Sequence, residues 1–367
     1  VAADILTGLN DAQRRAVTHA GSPLLVNSTA GSGKTRVIAA RAAWLIQHGL
    51  PPSTIVAISF SRAAAEELRE RIAGLSGVST RGLVTGTFHA IASRLFLRRF
   101  ARLIDRHPNF TVYDADDQAR IVRTLGKALG KDDVPVGEIV EAIARVKRRG
   151  PKSVETLAPA LRDTVRALLP GYERTLAEDN ALDFQDLLLR TVELLERFPR
   201  VRQWGYDHVA HWLIDELQDS CAHQARILEL LVRPAPRGVA PIVPSPALAH
   251  VAPEIRAARA SMVGDPNQAI FAFAGARVET MLEFPTTYPG SHVVNLGQSY
   301  RSTPNVLVVA DRLIRHNGRR LGHRVWTANP PGDDVEVMIH ATDEDEATTL
   351  AARAVELAPE GSVAILA

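Results

Sequence analysis

Cysteine is almost absent from this chain of 367 residues: Cys221 is its one thiol. A single thiol excludes an internal disulfide framework and any cysteine-cluster metal site, and a reducing cytosol fits. Lysine is nearly as scarce. Only five of the 43 basic residues are lysine; the rest are arginine. A codon bias toward Arg and Ala accounts for that skew, and so does a use of guanidinium for phosphate recognition; composition leaves both open. No apolar run approaches the roughly 18–20 residues that a membrane helix needs. The opening VAADILTGLN has neither the basic start nor the apolar stretch of a secretory leader. A cytoplasmic protein with no membrane partner is therefore expected. An excess of one charge is missing too. The 43 basic and 41 acidic residues leave +2, which is no polyanion-binding signature in itself.

What is present is ordinary for a globular protein: 46% hydrophobic and 23% charged residues. At about 100–200 residues per domain the length predicts two or three domains. Helix and strand patterns alternate over the first hundred residues. Asp11 to His19 reads as a short helix, PLLVN (23–27) as a buried strand, and Lys34 to His48 as a helix ending at Gly49. TIVAISF (54–60) reads as a second strand, Arg62 to Leu75 as a second helix, and LVTGTF (83–88) as a third strand. That order predicts an α/β fold with a parallel sheet covered by helices. From about Phe100 to Val201 the periods become helical, so an all-helical insertion is expected there. Strands return at HWLID (211–215), SMVGD (261–265) and HVVNL (292–296). Arg233 to Ala260 holds six prolines and reads as an exposed loop. The chain stops at SVAILA, inside a strand-like run, which suggests a truncated parent.

STAGSGKT, from Ser28 to Thr35, follows a strand and precedes a helix, the context that makes a phosphate loop credible. Its residues Ser28, Thr29, Ala30, Gly31, Ser32 and Gly33 are small enough to let backbone N–H groups face phosphates. Lys34 would reach the β- and γ-phosphates and Thr35 would ligate Mg²⁺. The strict pattern has Gly where Ser28 stands. LIDELQD, from Leu213 to Asp219, ends another strand. Asp215 there suits Mg²⁺ through water, and Glu216 can orient and deprotonate the attacking water. Acidic residues also gather at helix starts for dipole reasons. The pairing with the phosphate loop argues for an NTPase, and leaves open what hydrolysis drives.

The ordered motifs resemble the superfamily 1 DNA helicases of the UvrD/PcrA/Rep type. LNDAQRRAV (9–17) is similar to the Q motif, STAGSGKT to motif I, SFSRAAAEELRERI (59–72) to motif Ia, and TGTFHAIASRLF (85–96) to the next DNA-contact motif. NFTVYDADDQ (109–118) and ALDFQDLLL (181–189) resemble signatures of the insertion. LIDELQD is similar to motif II, VGDPNQAIFAFAGA (263–276) to motif III and LGQSYRSTPNV (296–306) to motif IV. The resemblance implies a RecA-like motor domain (1–100 and 203–290) with a Pro-rich loop at 233–260. An inserted subdomain would take 101–202, and an incomplete second RecA-like domain 291–367.

It also implies roles. Gln13 would read adenine, although Asn10 and Gln13 also have capping-box spacing. Tyr300 would stack on adenine, with Arg36 among the nucleotide contacts. Arg301 would contact the γ-phosphate, while Gln218 and Gln268 would sense it. The DNA contacts would be Phe60, Arg62, Thr87, Phe88, His89, Phe271 and Phe273, although a Phe beside apolar residues is otherwise core. The implied cofactors are ATP and Mg²⁺. The implied partner is single-stranded or junction DNA, with any repair-protein partner unknown. The activity would be 3′→5′ ATP-driven translocation in repair, replication or recombination.

The pattern is departed from in three places. Motif Ia usually carries Asn-Lys where Arg62 and Ala63 stand. Motif III usually carries an arginine where Ala274 stands, and Trp where Phe273 stands. Motifs V and VI lie beyond these residues, so the chain by itself is expected to bind ATP weakly and to unwind little or nothing. Two alternatives remain at this level: the motor part of a RecB/AddA-like helicase–nuclease, and a non-motor single-strand-binding module with weak ATPase. A metabolite kinase on the same fold leaves Phe60 and Phe273 unexplained.

Overall fold

The computed structural model describes residues 5–77, 79–131, 133–233 and 248–365. Helix α1 (Asp11–Thr18) precedes a strand–helix alternation: β1 (Leu24–Ser28), α2 (Lys34–Gln47), β2 (Ile55–Ile58), α3 (Arg62–Ser76) and β3 (Val84–Gly86). A four-residue α4 (Phe88–Ile91) widens into a π turn over Ala92–Leu97. Next come β4 (Thr111–Tyr113), α5 (Ala115–Leu129), α6 (Val136–Arg149), α7 (Pro159–Glu178), β5 (Ala181–Asp183), α8 (Asp186–Arg197) and α9 (Pro199–His208). The chain returns through β6 (His211–Ile214), α10 (Ala222–Val232), α11 (Pro253–Ala257) and β7 (Ala260–Gly264). It ends with α12 (Glu279–Leu282), α13 (Phe284–Thr287), β8 (His292–Leu296), α14 (Pro304–Ile314) and α15 (Asp343–Leu357). Among the described residues no helix is long and apolar enough to cross a membrane.

Six strands form one parallel sheet in the order β3-β2-β6-β7-β1-β8. Its strands read as unbroken apolar runs because both faces are covered. Leu25, Val56, Ile58, Trp212, Ile214 and Met262 point to one side, where Phe96, Leu228, Leu231 and Phe284 cover them. The alternate residues Leu24, Val26, Ile55, Ala57, Leu213 and Val263 point to the other, against α2 and α3. Ala39, Ala40, Ala42 and Ala43 of α2 are fully buried on that side. Part of the alanine excess is thus spent on close helix–sheet approach.

Three expectations are corrected. The insertion is helical except for β4 and β5, which pair in parallel over three residues each. Strands that short carry no readable period. The strand at His292–Leu296, expected to open a second α/β unit near Ser291, is instead the edge strand of this sheet, registered against β1 from Leu24↔His292 to Ser28↔Leu296. Of the Pro-rich segment, 234–247 lie outside the described residues. The remainder is not an exposed loop: Leu248, Val251, Ile255 and Ala258 are buried, the first three in the core on the α2 side.

Candidate nucleotide and strand site

The loops after β1, β6 and β7 carry the STAGSGKT, LIDELQD and VGDPNQ segments to the carboxyl ends of the parallel strands, where open α/β sheets place their ligands. The loop after β1 turns through two left-handed glycines, Gly31 (φ 72°) and Gly33 (φ 80°), before α2 begins at Lys34 with Thr35 in its first turn. Ser28, which stands where the strict pattern has glycine, is fully buried, and its hydroxyl donates to the Gly264 carbonyl at 2.6 Å. Its side chain ties β1 to β7 and is turned away from the loop.

The segment after β8 lies directly on this loop. Tyr300 N–H donates to the Gly31 carbonyl at 2.9 Å and the Ser299 hydroxyl to the Ala30 carbonyl at 2.9 Å. A Cβ on Gly31 would sit 2.5 Å from the Cβ of Arg301. Gly31→Ala therefore meets both a left-handed backbone and a backbone-anchored neighbour. We expect it to lower nucleotide affinity at least tenfold, read by titration with a fluorescent nucleotide analogue. Unchanged affinity would show that the close approach does not shape the loop.

At the tip of β6, Lys34 Nζ donates to Glu216 Oε2 at 2.9 Å and to Gln268 Oε1 at 3.3 Å. Gln218 Nε2 reaches the same Glu216 oxygen at 2.9 Å, and Gln218 Oε1 accepts Asp265 N–H at 3.0 Å. Gln268 Nε2 donates to Asp265 Oδ2 at 2.6 Å. The five side chains form one connected polar chain across the tips of β1, β6 and β7. Glu216 holds a left-handed backbone (φ 53°), a sparsely populated state for a non-glycine residue. Burial, with the neighbouring Glu216 charge, raises the Asp215 carboxyl to about 6 against the pull of Lys34. Asp219 is also raised to about 6, by partial burial and Glu216. Among the described residues no cluster of three or more His, Cys, Asp or Glu could hold a metal. The oxygen donors Thr35 and Asp215 fit Mg²⁺, which takes one or two protein ligands and completes its shell with phosphate and water.

The base-side residues also meet. Gln13 is buried, its Nε2 donating to the Ser32 carbonyl at 2.9 Å, and it closes the capping box with Asn10. Tyr300 is half-exposed, with its hydroxyl 2.8 Å from Asn10 Nδ2. The Arg36 guanidinium is held on the Thr7 carbonyl at 3.1 Å, and Arg301 is exposed.

A cavity of about 630 Å³ leads from Asp215, Glu216 and Asp219 past Phe60, Arg62, Thr87 and His89 to Phe184. Phe60 is 57% exposed and stacks on Phe271 at 5.2 Å; Phe271 leans on Phe273, which is 80% exposed. The three rings make a continuous aromatic surface. Thr87 caps α4 through the Ala90 N–H. Phe88 lines the cavity but its ring is buried in the core, so it offers no face for stacking. His89 stacks on Phe184 at 3.8 Å, and burial lowers its pKa to about 4, so it is a neutral ring at ordinary pH. Phe184, 48% exposed, is not among the DNA contacts that the resemblance implies, although it stands inside ALDFQDLLL. Ala274 is exposed beside Phe273.

The UvrD/REP helicase N-terminal domain family matches residues 9–289. The chain is 35% identical over 368 residues to the ATP-dependent DNA helicase UvrD1 of Mycobacterium tuberculosis, covering 98% of this chain and 46% of that protein. It is 33% identical to DNA helicase II of Escherichia coli K12 (94% and 45%). It is 31% identical to the ATP-dependent DNA helicase PcrA of Staphylococcus epidermidis (94% and 45%). The chain thus spans somewhat less than half the length of these relatives.

Proposed function

This chain belongs to the UvrD/REP helicase family, and from that premise we propose that it forms the nucleotide- and strand-binding part of an ATP-driven DNA helicase. Movement would run 3′→5′ on single-stranded DNA in repair, replication or recombination. Residues 1–100 and 203–296 would be the first motor unit and 101–202 its insertion. The observation that carries the reading is the single cavity joining Asp215 and Glu216 to Phe60, Phe184 and their aromatic neighbours.

Lys34 Nζ forms an ion pair with Glu216 Oε2 at 2.9 Å. Phosphates at the loop would draw the ammonium away and leave Glu216 free to take a proton from the attacking water. Lys34 and Arg301 would then stabilise the charge on the transferring phosphoryl group. Mg²⁺, held through Thr35 and Asp215, would neutralise phosphate charge when bound. The same step releases Gln268 from Lys34. Because Gln268 stands three residues before Phe271, its movement would be felt at the aromatic surface. Stacking on Phe60, Phe271 and Phe273 tolerates any base, which suits a motor that walks over any sequence.

The test is phosphate release by the full-length protein with and without single-stranded DNA. Stimulation of tenfold or more is expected, and a rate indifferent to DNA would favour a non-motor binding module. Phe273→Ala, whose ring touches little else, is expected to weaken single-strand binding by about 1–3 kcal/mol by fluorescence anisotropy. Undiminished affinity would take Phe273 out of the strand surface.

A further inference from the structure

The cavity beside the aromatic surface is short of positive charge, while a nucleic-acid strand brings a negative phosphate with every nucleotide. Asp215, Glu216 and Asp219 line it, and Arg62 is the basic side chain among its lining residues that keeps a charge. His89 is neutral there. The rings of Phe60, Phe271 and Phe273 offer faces to bases but nothing to a phosphate. The carboxylates repel phosphates, so a bound strand must carry its backbone at the rim, where cations are needed.

Between Arg259 and Arg301 the sequence has a single Lys or Arg, Arg277. It ends the turn that carries two of the rings. The Phe271 carbonyl accepts the Ala274 N–H at 3.0 Å and the Ala276 N–H at 3.1 Å, with Gly275 left-handed between them (φ 95°). Ala276 then forms an antiparallel bridge with Cys221, and the Arg277 N–H donates to the Ser220 carbonyl at 3.0 Å. Ser220 lines the cavity next to Asp219. One closed turn therefore sets Phe271 and Phe273 and also pins the Arg277 backbone to the cavity's rim.

The Arg277 side chain is exposed, and among the described residues its guanidinium has neither an ion-pair nor a hydrogen-bond partner. The carboxylates that follow it in sequence, Glu279 and Glu283, face Arg319 instead, at 3.9 and 3.4 Å. Arg62 stands in a similar relation to the third ring. It comes two residues after Phe60, is exposed, and likewise has no partner among the described residues. The stacked rings thus have an unpaired arginine beside them in the chain on both sides.

We propose that Arg277 is a phosphate contact of the single-strand site. It holds the backbone of the strand at the rim beside Ser220 while bases stack on Phe271 and Phe273, and Arg62 does the same on the Phe60 side. A guanidinium suits this role because it stays charged and presents several N–H donors to phosphate oxygens. The inference rests on the strand-site reading given above.

The test is fluorescence anisotropy of a labelled oligothymidylate with the full-length protein, over roughly 50–200 mM salt. Each phosphate contact on a single strand adds about 0.7 to the slope of log affinity against log salt. Arg277→Gln, which keeps most of the stem and removes the charge, is expected to flatten that slope by about 0.7. At the lowest salt it should weaken binding about two- to fivefold, the range of an exposed ion pair, with an unchanged thermal midpoint. Arg277→Lys should keep the slope. Phe273→Ala should lower affinity at every salt concentration and leave the slope as it is, because a ring releases no counterions. A slope unchanged in Arg277→Gln, with binding still weakened in Phe273→Ala, would overturn the inference and leave the strand site standing. Binding indifferent to both substitutions would overturn the reading of the strand site itself.

Discussion

Glu216→Gln is expected to lower strand-stimulated ATP hydrolysis by about 10²–10⁴-fold, the range that a positioned general base contributes, while nucleotide still binds. The amide keeps the size of the side chain and an oxygen that can accept from Lys34, now 2.9 Å away. The left-handed backbone at this position is set by the turn between β6 and α10 and should persist. What is lost is the proton acceptor, together with the one charge that, beside burial, raises Asp215. With that neighbour neutral the Asp215 carboxyl falls from about 6, which favours the ionised form that a divalent cation needs. Binding of magnesium nucleotide should therefore hold or tighten as turnover collapses. Single-turnover phosphate release and nucleotide titration read the two quantities separately. If the variant retains most of its rate, the base lies elsewhere. Asp219 is then the next candidate, because its carboxyl is raised to about 6 and one oxygen lies 3.2 Å from Gln218. Glu216→Gln and Asp219→Asn in parallel separate those assignments.

The parts of this molecule that were legible in the sequence are those in which one local property decides the outcome. The first strands stand out as apolar runs because both sheet faces are covered. The loop from Ser28 to Thr35 stands out because only small residues fit its turn. The edge strand β8 was harder: His292 and Asn295 are exposed while Val294 and Leu296 are buried, so it resembles the half-covered start of something new. Its place beside β1 depends on a crossover that no local pattern records. Phe88 and Phe60 illustrate a second limit. Both are phenylalanines just past a strand end, yet one is buried in the core and the other is 57% exposed against Phe271. Neighbouring residues in sequence do not distinguish the two, since the difference is made by α4 turning Phe88 inward. Ser28 shows the reverse. A mismatch to the phosphate-loop pattern becomes intelligible once its hydroxyl is seen on the Gly264 carbonyl, 236 residues away.

Lys147→Met is expected to cost about 3–5 kcal/mol of folding stability at neutral pH, the range for breaking a buried ion pair by removing one partner. Lys147 lies on α6, almost fully buried. Its ammonium contacts Asp183 at 2.6 Å, Asp186 at 3.0 Å and Glu173 at 2.6 Å. Burial lowers its pKa, but the three carboxylates outweigh that and leave it raised. Burial likewise lifts the Asp186 carboxyl to about 6, with Lys147 pulling against it. A carboxyl raised above its unfolded value contributes stability fully at low pH and loses it as pH climbs through the folded value. Without the ammonium that folded value rises further, and the loss at neutral pH grows. The penalty in Lys147→Met should therefore shrink as pH falls toward 5, where protons neutralise Asp186. Urea unfolding at pH 7.5 and pH 5 measures both. A penalty equal at the two values would mean that lost packing, and not stranded charge, is what the substitution removes. The consequence reaches the site through the chain itself. Phe184 sits between Asp183 and Asp186, and its ring, 3.8 Å from that of His89, lines the cavity beside the aromatic surface. Loosening the turn that carries it should weaken single-strand binding under conditions where the protein is still folded, a loss that Lys147→Met should show at pH 7.5 and recover in part at pH 5.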